Sequence, residues 1–202
     1  VASNVAQDSK LATAEDAGAA PGRVRRRSSE EMAELGIIQL GNPVLSTATE
    51  PFVLPEESHE VTRIVQRLNS VADRVLQRHE FTTGAMGLAA PQVGENRSIA
   101  VFRPSGEDQV VLINPQVVSI EPADEIDWDE DSEGCLSYFD FRCWVARPRV
   151  VVVANRTLTG EEVITTFDKG RQARDVLHEI DHLNGVLCLD RMPRGARTVS
   201  VA

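Results

Sequence analysis

The chain predicts an α+β fold in which mostly antiparallel strands surround one buried helix, and three observations carry that expectation. Short segments rich in β-branched residues cluster between two stretches of helical period, without the regular alternation that a parallel sheet requires. The second helical stretch is apolar along one face yet holds two histidines and a glutamate, groups that need compensation once buried. The 202 residues, 42% of them hydrophobic, suffice for one core and leave no room for a second full domain.

The first 36 residues are a different material, without an aromatic side chain, rich in alanine and serine, and basic at Arg23-Val24-Arg25-Arg26-Arg27. They read as a disordered or partly helical extension. Asp8, Glu15, Asp16, Glu30 and Glu31 argue against an acid-poor organelle transit peptide, and no apolar run matches a secretory core or a membrane span. The globular pattern starts at Ile37, with Gly36 and Gly41-Asn42-Pro43 as loop punctuation, and runs over residues 37–202. A helix is expected over 60–78, where Val61, Ile64, Val65, Leu68, Val71, Val75 and Leu76 form one apolar stripe.

Between Gly84 and Gly94 small residues crowd together and the run includes Gln92; taken alone it reads as a helix end and a closely packed loop. Strands are expected over 98–103, 110–113, 116–120, 144–154 and 162–167. The run 121–133 holds eight acidic residues and no basic one, and reads as a solvated loop. Asp127, Asp129 and Asp131 suggest calcium, but Ser132 stands where the loop glycine belongs and Tyr138 where the twelfth ligand belongs. The second helix is expected over 171–183, with Ala173, Val176, Leu177, Ile180 and Leu183 on one face and Gly185 placed to end it.

That helix carries His178-Glu179-Ile180-Asp181-His182. Positions four apart share a face, so both imidazoles can grip one metal ion while Glu179 points to the rim as a general base. This is the chemistry of metal-activated water. A zinc peptidase usually takes its third ligand downstream, but only twenty residues follow His182 and Asp190 is the sole carboxylate among them. The third ligand therefore comes from upstream, where Glu133-Gly134-Cys135-Leu136-Ser137 offers a thiol. Cys143 and Cys188 read as small buried hydrophobes.

Gly87-Leu88-Ala89-Ala90-Pro91-Gln92, Glu133-Gly134-Cys135-Leu136-Ser137 and His178-Glu179-Ile180-Asp181-His182-Leu183-Asn184-Gly185 match, in order, the three signature motifs of peptide deformylases. From about residue 37 to 192 the chain resembles that family, which makes 37–202 a deformylase-like catalytic domain. The resemblance implies hydrolysis of the N-formyl group from the initiator methionine of nascent proteins. The metal is typically ferrous iron, with zinc, nickel or cobalt able to occupy the same site. It makes Cys135, His178 and His182 the ligands, Glu179 the acid–base residue, and the Gln92 amide and Leu136 N–H the oxyanion donors. It also implies that the backbone around Ala85, Met86 and Gly87 pairs with the peptide substrate, with Glu133, Gly134, Tyr138, Arg142 and Asp175 around the substrate pocket. The family's arginine after the cysteine motif falls at Arg142, expected either to hold Glu133 or to shape that pocket. Asp181 is a candidate to orient a ligand ring.

Three departures from the family pattern bear on substrate choice. Ala85 stands where members usually carry glycine, Tyr138 and Phe139 replace an aliphatic residue and proline, and Asp175 lies near the wall of the methionine pocket. They raise the alternative of a specialised N-formyl small molecule or a non-methionyl substrate, with Asp175 either facing that substrate or paired with Arg171, Arg174 or Arg142. Retention of Glu179, Gln92 and Cys135 argues against a non-enzymatic metal protein. The formal charge of −10 argues against a general nucleic-acid surface, leaving a transient ribosome contact through a local basic patch as an expected partner. Three cysteines, one assigned to metal, imply no disulfide framework and point to the cytoplasm, with no membrane association.

Overall fold

The computed structural model describes residues 28–79, 85–121, 128–169 and 171–200. Residues 1–27 of the expected extension lie outside them, but its last part does not. Helix α1 (Ser28–Glu34) carries Met32, which is fully buried in a cluster with Ile37, Phe52, Ile64 and Leu68. Packing therefore begins ahead of Ile37, because one methionine on a seven-residue helix finds a place in the core.

Helix α2 (Ser58–Arg78) starts two residues before its expected limit and turns Val61, Ile64, Leu68, Val71, Ala72 and Val75 into the same core. Each valine, isoleucine or leucine among them contributes about 1.5–3 kcal/mol on burial. Leu76 stays 40% exposed, since it follows Val75 by one position and points about 100° round the helix.

Strand β1 (Met86–Ala89) and a 3-10 turn (Ala90–Val93) occupy the small-residue run that reads locally as a helix end and loop. The difference arises because β2 (Ile99–Arg103) offers an antiparallel partner, from Met86 opposite Arg103 to Ala89 opposite Ala100. Strand β3 (Val110–Ile113) completes a sheet of order β1-β2-β3. Next come β4 (Gln116–Glu121), β5 (Trp128–Gly134), a 3-10 turn (Leu136–Tyr138), β6 (Phe141–Pro148), β7 (Val150–Arg156) and β8 (Glu162–Phe167).

The single strand expected over 144–154 is thus two strands, β6 and β7, divided at Arg149 just after Pro148. Strand β6 pairs with β5 and β7 pairs with β4 and β8, so the break is a change of sheet. The expected acidic loop is likewise corrected in part. Residues 122–127 lie outside the described residues, while Trp128–Gly134 runs antiparallel to β6, where Cys143 and Val145 provide a buried face.

Helix α3 (Gln172–Leu183) packs against β1, β2, β6 and β8 and buries every residue from Val176 to Leu183. Gly185 ends it at φ +69, and a Cβ there would lie 2.8 Å from the backbone of Ser46 and Thr47. A short α4 (Cys188–Arg191) follows, and β9 (Val199–Ser200) adds to the free edge of β6. Antiparallel sheets around one central helix are what the sequence predicts.

Candidate active site

Helix α3 sets His178 and His182 one turn apart, their ring centroids 4.9 Å from each other and edge to face. Cys135, between the end of β5 and the following 3-10 turn, meets them. Its Sγ lies 3.2 Å from His182 Nε2, and one ligand atom from each of the three residues falls within 4.8 Å of the others, all buried. Bonds of about 2.0–2.3 Å to a tetrahedral ion place neighbouring donors roughly 3.3–3.8 Å apart, so small adjustments close this cluster on one cation. One thiol and two imidazoles form a donor set for a divalent first-row metal, with a position left for water.

The His178 ring is oriented from behind, whereas His182 Nδ1 is buried without a hydrogen-bond partner among the described residues. His178 Nδ1 lies 3.1 Å from Glu133 Oε2, which turns its other nitrogen toward the cluster. Glu133 is held in turn by two buried arginines. Arg147 engages it through both Nε at 2.9 Å and Nη2 at 3.0 Å, and Arg174 Nη1 donates at 2.9 Å while also donating to Val145 O. Arg147 Nη1 continues to Asp181 Oδ2 at 2.7 Å, and Arg191 reaches both Asp181 oxygens from α4. Burial opposes charge on Glu133, but His178 and Arg147 overcome it and push its carboxyl down to about 2. Burial also takes His182 well below the ordinary histidine value, whereas contacts with Cys135 and Glu133 outweigh it at His178 and hold that ring well above.

Glu179 sits in a different setting. Its side chain approaches Gly87 so closely that a Cβ there would lie 2.2 Å from Oε1, and its Oε2 is buried with no hydrogen-bond partner among the described residues. Burial pushes it up to about 8, against the pull of His178 and with help from the charges of Asp175 and Glu133. A carboxyl with an unpaired oxygen beside two imidazoles is available to carry a proton.

Gln92 is locked by its oxygen. Oε1 accepts from Ala89 N at 2.9 Å, so Nε2 faces inward, 3.5 Å from Cys135 Sγ and 3.3 Å from Ser137 Oγ. The Leu136 N–H opens the 3-10 turn, outside its ladder, where helix-start donors lack an internal partner. The Gln92 amide thus lies beside the thiol, and the Leu136 N–H begins the turn one residue after it.

Several expected pocket residues stand elsewhere. Glu133 is 3% exposed and saturated by arginines and His178, so it serves a ligand ring and is closed to substrate. Tyr138 is 2% exposed, donates to Cys188 Sγ at 2.8 Å and stacks on Phe141, which places it behind the cysteine. Arg142 does not hold Glu133. It pairs with Gly134 across the ladder, and its guanidinium lies where a Cβ on Gly134 would be. Ala85 packs against the cluster of Phe102, Val176 and Leu177, and Met86 is buried in the core. Asp175 has no ion pair among the described residues; Arg174 is taken by Glu133, and burial pushes Asp175 up to about 6. Asp181 orients no ligand ring directly and instead joins Arg147 to Arg191.

Arg147 and Arg191 are the residues that sequence reasoning missed, and Arg174, expected only as a partner of Asp175, holds Glu133 instead. The available signal was Arg174, four residues before His178 and therefore on the same helix face.

The sequence model of the family described as "Polypeptide deformylase" matches residues 35–198. The chain is 32% identical over 161 residues to a peptide deformylase of Carboxydothermus hydrogenoformans, covering 79% of this chain and 94% of the relative. It is 35% identical over 162 residues to peptide deformylase 2 of Clostridium perfringens, with the same two coverages. Among solved structures, the class I type b peptide deformylase of Acinetobacter baumannii superposes with a TM-score of 0.65 at 32% identity, covering 78% of this chain and 97% of that one. The Thermotoga maritima peptide deformylase gives 0.62 at 30% identity, covering 78% and 96%. With its matched region spanning the three motifs, the buried ligand cluster and nearly all of the described fold, this chain belongs to the polypeptide deformylase family.

Proposed function

We propose that Cys135, His178 and His182 hold one divalent metal ion, that Glu179 moves the protons, and that Gln92 and the Leu136 N–H receive the oxyanion. The reaction is hydrolysis of the N-formyl group from the N-terminal formyl-methionine of nascent polypeptides, which yields formate and a free amine. The observation that carries these roles is the convergence of one thiol and two imidazoles within 4.8 Å beside a buried, unpaired carboxyl. When bound, the metal supplies Lewis-acid polarisation and lowers the pKa of a water toward neutrality.

Glu179 takes the proton of the attacking water and delivers it to the departing amine, which must be protonated to leave. Its burial supports this second role, since a carboxyl with a raised pKa retains its proton long enough to donate it. Negative charge grows on the formyl oxygen as the carbon becomes tetrahedral. The Gln92 amide, fixed through Ala89, and the Leu136 N–H are aligned before that charge appears and need no reorganisation to meet it.

Among the described residues strand β1 lies at the edge of its sheet, and we assign its Met86 and Gly87 backbone, with Ala85 just before it, to binding an extended peptide. Gly134 and Arg142, facing each other across the β5–β6 ladder next to Cys135, and Asp175, one turn before Glu179 on α3, are the further residues we assign to substrate binding. The relatives, all named peptide deformylases, favour the peptide substrate over a specialised small molecule. Ferrous iron is the metal we assign in the cell, with zinc, nickel or cobalt as substitutes that a thiolate and two imidazoles accept. Three free cysteines support the cytoplasm as the compartment, and a transient ribosome contact would bring the site to its substrate. No helix of the described residues is long and apolar enough to cross a membrane.

The test is anaerobic turnover of formyl-Met-Ala by iron-loaded protein beside Glu179→Ala. Turnover falling at least ~10²-fold in the variant, with metal retained, is the expected result. Full metal loading without release of formate would reject the reading.

A further inference from the structure

We propose that Gln39 is a positioning residue that sets the geometry of the two oxyanion donors, as the central tie of a backbone strap running from Ile37 to Leu40. The inference rests on the assignment of Gln92 and the Leu136 N–H as those donors. Ile38 N donates to the Gln92 carbonyl at 2.8 Å, so the strap holds the main chain that carries the first donor. Leu40 N donates to Ser137 O at 2.8 Å, and Gln39 Nε2 donates to Leu136 O at 3.2 Å, so the same four residues hold the turn that carries the second. Gln92 and Leu136 belong to separate elements, and Ile37–Leu40 spans them through direct hydrogen bonds to both.

The orientation of the Gln39 amide is decided by its surroundings. Nε2 donates to Ile37 O at 3.1 Å as well as to Leu136 O, whereas Oε1 is buried without a partner among the described residues. Flipping the amide would set an oxygen against two carbonyl oxygens. The side chain therefore acts as a pure donor that gathers two carbonyls, and it leaves its own acceptor unmet to do so. The clamp continues at the far end of the turn, where Asp140 accepts from both Ser29 Oγ and Ser29 N on α1. The segment leading into the catalytic region thus grips the Leu136–Tyr138 turn from two sides, while His178 is held separately by Glu133 and its arginines.

Two substitutions separate donation from packing. Gln39→Met keeps length and removes the donor, while Gln39→Lys keeps donors and removes the orphan acceptor. With metal content equal to the parent, the Met variant is expected to lose about tenfold in kcat with KM within twofold, a fraction of the 10²–10³ that loss of a whole oxyanion donor costs. The Lys variant recovers at least half of the lost kcat. In the zinc-loaded protein the Leu136 and Ser137 amide resonances shift in the Met variant and return toward the parent in the Lys variant. A Met variant with kcat within twofold of the parent, or one changed in KM alone, overturns the proposal. So does a Lys variant as slow as the Met variant, which marks a packing role. Gln92→Leu run in parallel keeps the two readings apart. If it leaves kcat unchanged, the donor assignment itself fails; if it is slow while Gln39→Met is not, only the strap inference fails.

Discussion

Gly87 is the position where a single methyl group should disable the proton carrier while sparing the metal ligands. Its ideal Cβ would lie 2.2 Å from Glu179 Oε1, 2.6 Å from Cδ and 2.8 Å from Cγ, where ordinary contact begins at 3.4 Å. The overlap with Oε1 is 3.4 − 2.2 = 1.2 Å, and because Cγ is also overlapped, rotating the carboxyl does not relieve it. The whole group has to retreat by about 1 Å, a misplacement that costs on the order of 10²-fold in rate. That corresponds to about 2.7 kcal/mol of transition-state stabilisation. The expected result for Gly87→Ala is therefore a kcat on formyl-Met-Ala reduced ~10²-fold, approaching Glu179→Ala, with metal content unchanged by elemental analysis. A Gly87→Ala enzyme within threefold of the parent kcat would show that Glu179 either moves freely or carries no proton, and the reasoning would fail.

Arg147→Met leaves Glu133 and Asp181 with one guanidinium each, so we expect a loss of about 3 kcal/mol in urea denaturation; a loss under about 1 kcal/mol would mean that Arg174 and Arg191 carry the network alone. Asp175→Asn should matter progressively above about pH 4 and fully above pH 6. Burial raises the folded-state pKa from 3.8 to about 6, so the stability associated with its protonated form is complete below pH 3.8 and lost as pH rises through 6. That rise, discounted for partial exposure, predicts that chelator-treated Asp175→Asn is about 2 kcal/mol more stable than the parent at pH 8 and equal to it below pH 4. An equal gain at both values would contradict the electrostatic cause. Met32→Ala should destabilise by about 2–4 kcal/mol without altering metal content, and a cost near zero would place the folding boundary after α1.

Helix α3 was legible because everything that defines it is local: a 3.6-residue apolar period, two histidines four apart, and a glycine that must adopt positive φ at its end. Cys135 could be placed because the downstream chain offers no adequate third ligand and the motif resemblance supplies one. What surrounds these residues was not local. Arg142 and Arg147 both follow the cysteine motif, and only the β5–β6 register distinguishes them. Gly134 opposite Arg142 lays that guanidinium on the peptide, while Cys143, Val145 and Arg147 alternate onto the inward face, where Arg147 meets Glu133. Tyr138 was misplaced for the same reason, since its depth depends on Cys188 fifty residues away. The acidic run misled because composition favours solvent, whereas a strand partner and two arginines make its last residue one of the most buried carboxylates.

The buried charges around the site fall into two groups that close separately. Glu133 and Asp181 are matched by Arg147 and Arg174, with Arg191 adding a solvent-exposed cation at the rim. The second group comprises Cys135 and Glu179 beside two imidazoles; metal ligation takes the thiol as thiolate and the imidazoles as neutral rings, so with Glu179 ionised a dication brings that set to formal neutrality. Burial, helped by the charges of Asp175 and Glu133, pushes Glu179 up to about 8 against the pull of His178, where it is mostly protonated at neutral pH and is a poor acceptor of a water proton. A dication a few ångströms away favours the ionised form, so metal loading and readiness of the base are coupled. Infrared titration of the Glu179 carboxylate band, assigned by difference against Glu179→Gln, should therefore show a lower apparent pKa in zinc-loaded protein than in chelator-treated protein. Identical titrations in the two forms would separate the metal from the base and leave Glu179 without a physical reason to accept the first proton.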